Sequence, residues 1–126
     1  MKLLLDTHIV LWFFEGDARL SKKAETAITS LDNKKYVSIL SLWEFAIKKG
    51  LNKIQTESNI DRLEFLIAEN GFELLDLTSK HCKQLLLLPY HRRDSFDRML
   101  IAQAISDDLT ILTEDKNFTS YPAKMF

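Results

Sequence analysis

The sequence predicts an α/β protein in which helices cover both faces of a central, mainly parallel sheet, a three-layer α/β/α arrangement. Three observations carry that expectation. Short apolar or β-branched runs at residues 3–5, 36–39, 72–77 and 110–113 alternate with segments of helical periodicity, and such alternation implies right-handed crossovers between parallel strands. The first run, Leu3-Leu4-Leu5, has no polar face, as expected for a strand buried on both sides. The chain's 126 residues, 46% hydrophobic and 28% charged, suit one globular domain over 1–126 and too little chain for two cores.

The elements follow in order. The first strand ends at Asp6, and residues 7–14 turn helical until Gly16-Asp17 breaks them. Ser21 caps a helix to Leu31, with Ala24, Ala27, Ile28 and Leu31 on one stripe. Tyr36-Val37-Ser38-Ile39 reads as a strand. Ser41 is then expected to cap a helix over 42–49, with Glu44 at capping-box spacing in its first turn and Gly50 as its stop. Residues 59–70 form an amphipathic helix stopped by Gly71. Residues 72–77 form a strand, and the helix begun by Thr78 ends at Pro89. A charged loop, 90–95, leads to a helix over 96–105. Thr110-Ile111-Leu112-Thr113 is the last clear strand, followed by Glu114-Asp115 and a tail.

Lys and Arg total 17 against 18 Asp and Glu, so global positive charge does not hold a partner. The single cysteine, Cys82, excludes an internal disulfide and fits a reducing compartment. An acid interrupts the N-terminal leucines well before the roughly 7–15 apolar residues of a secretory signal. The run Leu85–Leu88 is far shorter than the roughly 20 residues of a membrane helix. A cytoplasmic protein with no membrane partner is expected.

Ligands of an open parallel sheet bind beyond the carboxyl ends of its strands. Asp6, Glu44, Asp97 and Asp115 all map to that edge. Each taken alone has a structural explanation, because acids favour helix N-termini. Together they do not: two carboxylates about 4 Å apart repel by roughly 4 kcal/mol at an effective dielectric of 20. Such a cluster calls for shared protons or for a cation, and Mg²⁺ or Mn²⁺ prefers oxygen ligands of this kind. A site so built activates water and stabilises a phosphorane-like transition state.

These residues lie in segments that resemble a known family. Leu4-Leu5-Asp6-Thr7-His8, the stretch SILSLWEFAIKKG over 38–50, Leu88-Pro89-Tyr90-His91, the run from Arg93 to Ala104, and Leu112-Thr113-Glu114-Asp115 are together similar to PIN-domain ribonucleases, specifically VapC-type toxins of type II toxin–antitoxin systems. The resemblance spans essentially the whole chain. It implies metal-dependent cleavage of single-stranded RNA, with Asp6, Glu44, Asp97 and Asp115 binding one or two Mg²⁺ or Mn²⁺ ions. Asp6 and Asp97 carry most weight, and Glu44 binds directly or through water. Asp115 is favoured over Glu114 by its spacing from Thr113. Thr7 and Thr113 are expected to orient the carboxylates from behind. In-line attack by water would leave a 5′-phosphate and a 3′-hydroxyl. The sequence departs from the family at Ser95, where many relatives have proline, and at Arg92, where many have a second histidine. Both changes bear on substrate preference rather than on the reaction.

Among other residues, His8 and His91 fall near the site, and His91 is expected to make a polar or RNA contact. His81 is expected on the surface, and Cys82 as a small core residue. Residues 34–53 hold five lysines and one glutamate, and residues 80–98 hold five Lys or Arg and two Asp, so basic segments flank Glu44 and Asp97. Lys48, His91, Arg92, Arg93 and Arg98 are candidates for RNA contacts, whereas Lys34 and Lys35 lie at the far end of their strand. Arg98 has a neighbouring carboxylate as its alternative partner. Trp12-Phe13-Phe14 cannot all face one stripe. Trp12, Phe13 and Trp43 are therefore candidates for an antitoxin surface, with core packing from two faces as the alternative. The family also implies a homodimer and a toxin–antitoxin hetero-oligomer.

Rival classes fit less well. A phosphatase using Asp6 as nucleophile wants a second acid where His8 stands. A receiver domain wants a lysine near the last strand, which offers Glu114-Asp115 instead. A catalytically inactive PIN fold, kept as a nucleic-acid or protein-binding module, is the remaining alternative, and the intact quartet speaks against it.

Overall fold

The computed structural model describes residues 1–89 and 94–126. The chain runs β1 (Lys2–Leu5), α1 (Thr7–Glu15), α2 (Lys22–Thr29), β2 (Lys34–Ser38), α3 (Ile39–Gly50), α4 (Ile60–Glu69), β3 (Glu73–Leu75), α5 (Ser79–Leu86), α6 (Ser95–Asp107) and β4 (Thr110–Leu112). A short 3₁₀ turn, Lys116–Ser120, then leads to β5 (Lys124–Met125). The five strands form one sheet in the order β3-β2-β1-β4-β5, and every pairing is parallel.

Period-two alternation in β1 divides the core into two halves. Leu3 and Leu5 face a cluster with Ile9, Val10 and Ile28 of α1 and α2, Phe45 of α3 and Leu63 of α4. Leu4 faces the other way, against Leu100, Ile101 and Ala104 of α6 and Phe118 of the 3₁₀ turn. Three layers result, as the sequence predicts. The chain winds outward from β1 to β2 and β3, then returns to the other side of β1 as β4. The reversal leaves a crevice between the carboxyl ends of β1 and β4, the position where open α/β sheets bind ligands.

Several local expectations are corrected. Helix α3 begins at Ile39, because Ser38 rather than Ser41 is its cap, its hydroxyl accepting from the Leu40 N–H at 3.1 Å. Ser41 is instead buried inside the helix, so no Ser41–Glu44 capping box forms and Glu44 stands in the second turn. The tail contributes a fifth strand, with Met125 beside Ile111.

His81 is only 2% exposed, not a surface residue. Its Nδ1 accepts from the Thr78 N–H at 3.1 Å, so the hydrogen sits on Nε2 and reaches Asp107 at 3.0 Å. Cys82, expected in the core, is exposed. Lys35 is buried, its ammonium donating to the Ser30 carbonyl at 3.3 Å.

Candidate active site

Asp6 caps the gap between β1 and α1, in extended backbone at the end of the triple-leucine strand. Its N–H donates to the Leu112 carbonyl at 3.0 Å, continuing the β1–β4 ladder by one residue. That bond fixes the carboxylate at the crevice. Thr113, the residue after β4, donates its hydroxyl to Asp6 Oδ2 at 2.8 Å, and its own Oγ1 accepts the Asp115 N–H at 3.0 Å. Asp6 is buried, and desolvation pushes its carboxyl above the ordinary value; the Thr113 hydrogen bond and the charge of His8 oppose this, while Glu44 adds to it.

Glu44 is buried too, although carried on a helix. The Thr7 hydroxyl lies 2.7 Å from Glu44 Oε1 and 2.9 Å from Ser41 Oγ. The other oxygen, Oε2, accepts from Lys48 Nζ at 2.6 Å across one helical turn. Burial works against the Lys48 charge, but the hydrogen bond and charge of Glu44, with Asp94 and Asp97 further away, outweigh it and raise its pKa.

Asp97 lies in the first turn of α6, and Asp94 caps that helix by accepting the Phe96 N–H at 2.7 Å. Gln103, farther along α6 and fully buried, accepts from the Ser38 hydroxyl at 2.7 Å and donates to the Asp76 carbonyl at 3.3 Å. This link ties α6 to the end of β2, where α3 starts. It holds the Glu44 and Asp97 helices in register, and no sequence pattern singles it out.

The expected acids therefore occupy one end of the sheet as a chain of contacts. Asp115 and Asp6 meet through Thr113, and they line one cleft of 260 Å³ with His8, Trp12 and Arg19. Glu44 acts electrostatically on Asp6, and the Lys48 ammonium bonded to Glu44 also feels the charges of Asp94 and Asp97. Among the described residues, no three His, Cys, Asp or Glu side chains gather closely enough to hold a metal ion as they stand. Asp115 also caps the 3₁₀ turn by accepting the Asn117 N–H at 2.9 Å, while Glu114 is exposed beside it.

The basic and aromatic candidates divide. Lys48 points at Glu44, and Arg98 is half-buried next to Asp97. His91, Arg92 and Arg93 lie outside the described residues. Phe13 meets Phe14 edge-on at 5.4 Å and Phe72 at 5.9 Å, so it packs in part against the core, and it also lines the cleft between α1 and α2. Trp43 stays 56% exposed, edge-on to Phe96 at 5.0 Å. Trp12 is half-buried and carries the guanidinium of Arg19 over its ring at 5.0 Å. Arg19 had no signal in the sequence beyond its place after the Gly16-Asp17 break.

A five-stranded parallel sheet of order 3-2-1-4-5, with carboxylates at the switch point and helices on both faces, defines the class of protein. The sequence matches the PIN domain over residues 3–124, and the chain belongs to the PIN-domain family. No curated protein matches it. Among solved structures it is similar to VapBC2 from Rickettsia felis bound to a DNA fragment from its promoter, with 16% identity over 99% of this chain and 96% of that one, TM-score 0.72. FitAcB from Neisseria gonorrhoeae is 17% identical over 98% and 96%, TM-score 0.67. VapBC-1 from nontypeable Haemophilus influenzae is 18% identical over 95% and 91%, TM-score 0.64. At these identities the likeness is one of fold.

Proposed function

We propose that this PIN domain, spanning residues 1–126 as a single unit, is a VapC-type endoribonuclease toxin that acts in the cytoplasm and is neutralised by a cognate antitoxin. The observation that carries the reading is a pair of buried carboxylates, Asp6 and Glu44, each steadied by a threonine hydroxyl at the topological switch point. Asp97 and Asp115 complete an all-oxygen donor set suited to one or two Mg²⁺ or Mn²⁺ ions. The electrostatics agree: a carboxylate desolvated beside a second one is relieved by a cation, and Lys48 already supplies one to Glu44.

A bound ion would supply charge neutralisation at the scissile phosphate and a more acidic water. The protein's own groups do the rest. Thr113 and Thr7 hold Asp6 and Glu44 in fixed orientations, so little reorganisation accompanies the reaction. Lys48, His91, Arg92, Arg93 and Arg98 are proposed to hold the RNA backbone. Water attacking in line leaves a 5′-phosphate and a 3′-hydroxyl. Trp43 and Ile47 on α3 and Leu51 at its C-terminal cap are exposed at successive four-residue spacings. This ridge, with Trp12 and Phe13 along the 580 Å³ cleft between α1 and α2, supports an antitoxin surface and a homodimer within a hetero-oligomer. No helix among the described residues is long and apolar enough to cross a membrane.

One observation favours a second reading, an inactive binding module: the acids are strung out and Lys48 holds one of them. Incubating the purified chain with total RNA in Mg²⁺, Mn²⁺ or EDTA separates the two. The toxin reading expects metal-dependent fragments with 5′-phosphates, lost in Asp6→Ala and in Asp97→Asn, with both variants folded. Cleavage that persists in Asp97→Asn with unchanged metal dependence refutes the site. A folded protein that neither cleaves nor binds Mn²⁺ is a binding module.

A further inference from the structure

We propose that Arg19, held over Trp12 by Asp17, is a substrate-positioning residue that stacks a base of single-stranded RNA at the mouth of the cleft holding Asp6 and Asp115. The inference rests on the nuclease reading and adds to it a residue with no part in the metal site.

The argument starts from geometry. Helix α1 ends at Gly16, whose φ of 63° turns the chain back on itself. In that turn Asp17 accepts three donors from Arg19: the backbone N–H at 2.9 Å, Nε–H at 3.1 Å and Nη2–H at 2.7 Å. Two of these contacts fix the plane of the guanidinium, and the Trp12 ring lies 5.0 Å beneath it. His8 flanks the same indole, with ring centroids 6.0 Å apart. Asp6, His8, Trp12, Arg19 and Asp115 line one 260 Å³ cleft.

Stability does not explain such a device. The Arg19 side chain is 69% exposed, and an exposed ion pair contributes little to folding. A guanidinium held in plane has, however, already lost the freedom that binding would otherwise take from it. The indole lies on one side of it, and with the side chain 69% exposed its remaining N–H groups have no partner among the described residues. Guanidinium planes and aromatic rings are the surfaces on which unpaired RNA bases stack. The opposite wall of the cleft is anionic, so a polyanion entering there needs a cation at the rim. An apolar peptide segment laid on the same spot would desolvate the Arg19–Asp17 pair and leave the remaining guanidinium N–H groups unpaired, which favours RNA over a protein ligand in this cleft.

The test uses the full-length chain, Mn²⁺ and a randomised single-stranded RNA pool, with steady-state kinetics and sequencing of the cut ends. Arg19→Ala is expected to raise KM about 5- to 150-fold, the range for losing one stacked base, with kcat within about threefold of wild type. The base preference beside the cut should flatten. Arg19→Lys keeps the charge but not the plane and should recover little. Asp17→Asn, which loosens the clamp without changing the packing, should raise KM by a smaller factor, and thermal melts establish that each variant is folded. A wild type that cleaves, beside an Arg19→Ala variant with the same KM and the same base preference, overturns the inference and leaves the nuclease reading intact. Full recovery by Arg19→Lys overturns stacking in favour of charge alone. A wild type that cleaves nothing in the pool overturns the nuclease reading and this inference with it.

Discussion

Replacing Thr7 with valine removes one hydroxyl from the candidate site and almost nothing else. The side chains have nearly the same shape, and Thr7 opens α1, where its own N–H needs no helical partner. What is lost is the 2.7 Å hydrogen bond to Glu44 Oε1 and the contact with Ser41. A hydrogen bond to a charged partner contributes about 1.5–3 kcal/mol, and here both groups are buried, so a loss of about 2 kcal/mol is expected. At roughly 2.1 cal/mol/K per residue, this 126-residue chain has an unfolding entropy near 0.26 kcal/mol/K. The melting temperature should then fall by about 8 °C. Urea unfolding followed by far-UV circular dichroism at neutral pH in EDTA measures the free energy, and a double-mutant cycle with Glu44→Gln isolates the pair. A loss under about 0.5 kcal/mol, or a coupling near zero, refutes the view that Thr7 steadies Glu44.

Three further outcomes follow from other contacts. Lys48→Gln removes the ammonium that stands on Glu44, so Mn²⁺ binding measured calorimetrically should tighten by about tenfold or more; unchanged or weaker binding would mean that Lys48 does not compete for that carboxylate. Hydrogen bonds from Arg19 lower the Asp17 carboxyl to about 2, so the clamp is complete above the ordinary Asp value near 4 and is lost as pH falls through about 2. In a Trp43→Phe background, Trp12 fluorescence should report that loss in the same window, and a midpoint at or above pH 4 contradicts it. His81→Leu strands the Thr78 N–H and removes the buried partner of Asp107, which keeps only Lys80 at 3.6 Å, and should lower stability by about 1–3 kcal/mol in urea without altering cleavage.

Where a side chain's role follows from its own strand or helix, the sequence made it legible. A leucine run cut off by Asp6 announces a buried strand with an acid at its end, and Asp97 sits where an acid begins a helix. The Thr113-x-Asp115 spacing reads directly as a turn that returns an N–H to the threonine. Two serines three residues apart made the start of α3 ambiguous, and the apolar pair Ile39-Leu40 reads equally as strand or helix. Roles set by distant partners left no trace. His81 is buried by Asp107 and Gln103 by Ser38, at separations of 26 and 65 residues, and no periodicity encodes such pairs. Arg19 owes its position to a non-helical turn and to an indole on the preceding helix, so neither helical nor strand spacing points to it.

The hydrogen bond from Thr113 to Asp6 joins residues 107 positions apart. Contacts of such separation form only after the loop between them is closed, which makes them late events in folding. Asp6 leaves the ribosome early, yet its crevice has only one wall until β4 has been synthesised and paired with β1. A nascent chain shorter than about 113 residues can hold the α1–α4 layer but not a finished site. On the proposed nuclease reading, a centre divided in this way between β1 and β4 stays inert while still tethered to the RNA machine that makes it.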